Sequence, residues 1–143
     1  MNRGAVIISC CLAAALSCAS FSEITETGIR DEIEYLKKKI SANRDRMILC
    51  RTTKIGESGI FYVVDHKGAV LCHPKVFLEG SHFSRNRFVR EMLEKKSGCF
   101  KYGLGEQYYT VFFEPAGQDA ILCFSILTEE IKNGSGCPEL KDQ

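Results

Sequence analysis

Apolar and polar residues recur along this chain with two different periods. Ile29, Ile33, Leu36 and Ile40 fall at spacings of four, three and four, which is one stripe of an α-helix. Glu32, Glu34, Lys37, Lys38 and Lys39 lie mostly off that stripe, with acid before base in the order that favours a helix. The pattern predicts a long helix capped by Thr27 near Gly28 and running on towards Met47 and Leu49. Residues 51–58 read as a linker. At Ile60–Val64 the run turns β-branched and aromatic, so a strand is expected. Asp65-His66-Lys67-Gly68 reads as a tight turn, Asp accepting a local backbone bond and Gly taking positive φ. Ala69–Cys72 is then the return strand, stopped at Pro74, which cannot donate to a ladder.

Residues 75–87 read as an irregular crossover. Phe88, Val89, Met92 and Leu93 return to helical spacing among charged neighbours, a short amphipathic helix ended by Ser97-Gly98. Three strands are expected next: Cys99–Tyr102, Gln107–Phe113 and Ala120–Leu127. Their short connections make an antiparallel meander. The last is almost wholly apolar and is expected at the centre of the sheet. Thr128–Lys132 adds one helical turn, and residues 133–143 read as a loose tail. The expected architecture is α+β: five antiparallel strands with helices on one side.

Composition adds a compartment. A formal net charge of +1 over 143 residues gives no electrostatic case for a nucleic-acid partner. Met1–Ala19 has the form of a secretory signal: Arg3, then the apolar run Ala5–Leu16, then small residues before Cys18. Leu16-Ser17-Cys18 is close to a lipobox, which would make Cys18 a lipidation site and the membrane a partner. The expected divisions are a signal peptide at 1–17, a tether at 18–28, one domain at 29–132 and a flexible tail at 133–143. Beyond Cys18 lie Cys50, Cys72, Cys99, Cys123 and Cys137, whose pairing the sequence leaves open. Cys72 and Cys123, inside expected strands, read as small core residues.

Gly59–Lys75, with Asp65, Gly68, His73 and Pro74, resembles the signature of Cache domains. These are PAS-like sensing modules found outside the cytoplasm in bacterial receptors. Leu78-Glu79-Gly80, then Phe88-Val89-Arg90-Glu91-Met92-Leu93, is similar to that family's Leu-x-Gly and following helix. Gly98-Cys99-Phe100-Lys101-Tyr102 is similar to its next strand. The matches come in the family's order and cover roughly residues 29–131. They imply a Cache fold with a long N-terminal helix, sometimes a dimer seam, and a short crossover helix. The chain departs in three ways: Ser81–Arg87 is short, Trp is absent, and the amino-acid-binding motif of double Cache domains is not recognisable.

Catalysis is not expected. There is no Gly-x-Ser-x-Gly, Gly103-x-Gly105 opens no helix, and Asp65 and Glu79 form no evident acid/base pair. No metal or cofactor is expected either, since no histidine has a partner at zinc-ligand spacing. The expected site is a pocket on the meander lined by Arg90, Lys101, Tyr102 and Tyr109, bordered by His73. A cation there would favour a carboxylate. Each of these side chains also has an ordinary role, as sheet aromatic, solvated helix charge or strand-end histidine. The expected function is a lipid-anchored, extracytoplasmic small-molecule sensor without its own signalling domain, reporting to a receptor partner. The alternative is an envelope interaction or homodimer module that keeps the fold and lacks the pocket.

Overall fold

The computed structural model describes residues 23–40 and 43–141, with backbone only for 43–46. The leader and Cys18 lie outside the described residues. Helix α1 spans Glu26–Lys39 and α2 spans Asn43–Thr52. Strand β1 is Lys54–Ile55, β2 is Gly59–Asp65 and β3 is Val70–Cys72. Helix α3 is Arg87–Lys95, followed by β4 (Gly98–Leu104), β5 (Gln107–Pro115) and β6 (Ala120–Leu127). Single 3-10 turns stand at Val76–Leu78 and Thr128–Glu130.

All the strand pairs are antiparallel, in the order β1–β2–β6–β5–β4, with β3 on the same outer edge of β2 as β1. The expected hairpin is present. Asp65 Oδ1 accepts from the amides of Lys67 at 2.8 Å and Ala69 at 2.9 Å, and Gly68 has φ +84°. The expected central strand is β6, paired to β2 on one side and β5 on the other. One strand was not expected: β1 is two residues long, too short to show a period.

Successive side chains of a strand face opposite ways, so one sheet carries two cores. One holds Phe61, Val63, Phe112, Leu122, Phe124 and Ile126 against Ile29, Ile33, Leu36 and Ile40 of the N-terminal helix region. Each fully buried Phe or Leu there contributes about 1.5–3 kcal/mol. The other holds Val64, Val70, Val111, Phe113 and Ile121 against Val89 and Met92 of α3. Helices thus lie on both faces, not one, because α3 carries its own apolar stripe.

The long N-terminal helix is in fact two. Ile40 closes α1, its N–H bonded to Leu36 O, and Cys50 of α2 is disulfide-bonded to Cys72 of β3. Cys72 is therefore a bridge residue and not a simple core thiol, whereas Cys123 is buried and free. Thr25, not Thr27, caps α1, accepting from Gly28 N at 3.0 Å. Lys96, at φ +62°, ends α3.

Residues 133–141, expected to be loose, are strapped along β4. Cys137 is bonded to Cys99, Lys101 N donates to Pro138 O at 2.7 Å, and Leu140 N donates to Lys101 O at 2.7 Å. Glu26 of α1 accepts from Gly136 N at 2.9 Å, so the first helix and the tail meet. The Cys99–Cys137 bridge spans 38 residues, for which loop-closure entropy gives about 4 kcal/mol. The Cys99→Ser/Cys137→Ser double variant is expected to lose about 2–4 kcal/mol in urea unfolding and to become cleavable by protease within 133–141. Unchanged stability and protease resistance would show that the strap holds without its disulfide.

Candidate functional site

The face of the sheet under α3 concentrates the buried hydrogen-bonding groups. Tyr62 of β2 and Cys123 of β6 are direct cross-strand partners on that face. The Cys123 sulfur lies 3.5 Å from Met92 Sδ of α3. Two residues along β6, Ser125 Oγ lies 3.1 Å from the Tyr102 hydroxyl of β4. Burial pushes the Tyr62 and Tyr102 hydroxyls and the Cys123 thiol above their ordinary pKa values, so all three keep their protons at neutral pH.

Around these groups stands an aromatic wall. Phe88 of α3 stacks on Tyr102 at 5.2 Å between centroids and 10° between planes. Tyr109 of β5 stacks on Tyr102 at 5.7 Å. Phe100 meets Tyr102 edge-on at 6.3 Å. Phe88, Val89, Met92 and Leu93 pack over the sheet. The arrangement is an apolar face with a few fixed hydroxyls, the residue types of small-molecule sites.

The expected site residues divide. Tyr102 and Tyr109 are brought together, as cross-strand partners. Lys101 precedes Tyr102 on the strand and faces the other way. It lines an open groove of about 570 Å³ with Glu106, Tyr108, Thr128, Glu129 and Glu139. Arg90 is exposed on α3. His73 is buried beside Tyr62, ring centroids 5.5 Å apart, and its Nδ1 accepts from Lys75 N at 2.9 Å. It fixes the exit from β3. Among the described residues no cation is hydrogen-bonded to Tyr102 or Tyr109, whose hydroxyls meet Ser125 and Gln107.

Tyr62, Met92, Cys123 and Ser125 were not among the expected site residues. The signal for three of them was present: alternation along Ile60–Val64 and Ala120–Leu127 puts Tyr62, Cys123 and Ser125 on one face. Glu26, Cys99 and Cys137 converge within 4.8 Å, but the two sulfurs are bonded to each other and are not thiolate ligands.

No protein-family model and no curated protein matches the chain. Solved structures do. The ligand-binding domain of Mlp24 with asparagine has a TM-score of 0.51 at 18% identity over 60% of this chain. The chain spans 35% of that structure's length. A methyl-accepting chemotaxis protein from Vibrio parahaemolyticus also gives 0.51, at 13% identity, covering 70% of this chain and 81% of that one. The fold of this chain is the Cache-type fold of such sensor domains, as the hairpin signature implied. At these identities the likeness carries the fold and not the ligand.

His73 gives a pH dependence. Burial, and then the Lys75 charge, hold its pKa below the ordinary 6.5, and Glu79 acts the other way. The folded state therefore prefers neutral His73. Its contribution is whole above about pH 6.5 and is lost as pH falls from there through the lowered folded value. Melting temperature is expected to fall from pH 6.5 to 5. His73→Asn, which keeps an acceptor for Lys75 N, is expected to flatten that slope. An unchanged slope would mean that other groups set it.

Proposed function

We propose that this Cache-type domain is an extracytoplasmic sensory module that binds a small molecule between α3 and the sheet. The observation that carries the reading is the Tyr102–Ser125 hydroxyl pair, 3.1 Å apart, on a face lined by the rings of Phe88, Phe100 and Tyr109. Buried hydroxyls held this way exchange one hydrogen-bond partner for another at low cost. The two disulfides, each joining distant elements, support a compartment that is oxidising. The leader supports export, and Cys18 is the residue for a lipid anchor. Among the described residues no helix is long and apolar enough to cross a membrane. A lipid would supply attachment, each buried CH₂ adding about 0.8 kcal/mol. Ligand occupancy would then pass to a receptor partner.

One observation favours a second reading. Phe88, Val89, Met92 and Leu93 already fill the α3 face, as in a domain that keeps the fold for contact with another protein or a second copy.

A thermal-shift screen separates the two. A ligand at a hundredfold its Kd should add about 2.7 kcal/mol. The sensory reading expects a stabilising compound in a panel of small metabolites, and loss of that shift in Tyr102→Phe/Ser125→Ala. No shift anywhere, with a dimer by light scattering, selects the interaction reading. Radiolabelled palmitate incorporation that disappears in Cys18→Ala tests the anchor, and incorporation that persists rejects it.

A further inference from the structure

We infer that the molecule bound under α3 is electrically neutral: a single planar or compact apolar body carrying one or two hydroxyl or carbonyl groups. It is not an amino acid or other carboxylate. This inference rests on the reading that the α3 face is the ligand site, and it narrows that site to one chemical class.

The ground is the inventory of buried groups. Among the described residues the buried polar side chains are His73, Thr110 and Ser125, with no Asp, Glu, Lys or Arg. Thr110 is one residue from Tyr109 on β5 and faces the opposite core, where its hydroxyl meets that of Thr128 at 2.9 Å. His73 has its Nδ1 occupied by the Lys75 amide. What remains on the α3 face is the phenols of Tyr62, Tyr102 and Tyr109, one hydroxyl and one thiol, all uncharged groups, and burial pushes the Tyr62 and Tyr102 phenols and the thiol further from ionising. The charges nearest in sequence are directed elsewhere. Arg90 is exposed, Glu91 pairs with Lys95 at 3.3 Å on α3, and Lys101 belongs to the opposite side of the sheet.

A carboxylate or ammonium entering this space would shed its water and meet no countercharge. That is strongly unfavourable even after relaxation. A neutral hydroxyl or carbonyl meets donors and acceptors of its own kind in the Tyr102–Ser125 pair. The aromatic stack sets the shape. Phe88 covers Tyr102 at 10° from parallel, in the place a planar ligand would take. Phe88 sits on α3, which carries no disulfide among the described residues, so entry is a matter of displacing one ring and easing one helix.

The test uses the full chain and probes matched in shape but not in charge. Benzyl alcohol and benzamide are set against benzoate, phenylalanine and asparagine, with thermal shift and calorimetry as readouts. The inference expects the neutral pair to raise the melting temperature by several degrees at saturating concentration. It expects Tyr102→Phe/Ser125→Ala to weaken them at least tenfold, with the charged members silent. A charged member that binds and loses affinity in that variant keeps the site and overturns the neutral class. Binding by any probe that ignores the variant places the ligand elsewhere and overturns the site reading itself, as does silence from the whole panel. Tyr102→Phe alone, which keeps the ring and the stack, separates loss of the hydroxyl from loss of the fold.

Discussion

Everything in this molecule depends on the register of β6 between β2 and β5. The strand is hydrogen-bonded along both edges, and its residues from Ala120 to Ile126 are buried. Alternation then divides its side chains. Leu122, Phe124 and Ile126 go to the core under α1 and α2, and Ile121, Cys123 and Ser125 go to the face under α3. A slip of one residue would exchange the two sets, placing Phe124 where Ser125 meets Tyr102. The stability of one core and the chemistry of the other face are therefore fixed by the same backbone bonds.

Around that strand the periphery is tied down covalently. One disulfide joins α2 to the edge strand β3 and the other joins the tail to the opposite edge strand β4. Both edges of the sheet are thus protected, β4 also by the backbone bonds of Lys101 to the tail. By contrast α3 has no covalent tie among the described residues. It is nine residues long, capped by Asn86, and held by Val89, Met92 and its flanking rings. The helix over the proposed site thus has no disulfide among the described residues and is held mainly by packing, where local opening costs least.

Much of this was legible in the sequence, for identifiable reasons. The turn at Asp65–Gly68 declares itself because only certain residues bond or bend in that way. Strand β6 declares itself because a two-sided buried strand must be apolar throughout. The break after Ile40 did not, because the apolar stripe of α1 continues into α2 and no proline marks the division. The tail misled for a related reason. Its Gly, Ser and Pro residues signal looseness, and its order comes from Cys137, whose partner 38 residues away no local pattern reveals. Among the site residues, Tyr102 and Tyr109 were legible as aromatics in paired strands. Lys101 and Arg90 stand out in sequence by their charge, and strand parity and helix exposure direct them away from the tyrosines. Tyr62, Cys123 and Ser125 look unremarkable in sequence and matter only once β2, β6 and β4 are laid side by side.

The most direct measurement is a backbone-amide NMR titration of the chain with benzyl alcohol. Binding under α3 predicts shift changes gathered at residues 60–64, 88–93, 100–102 and 121–125. Changes gathered instead around residues 106–108 and 128–134, at the groove that Lys101 lines, would contradict it.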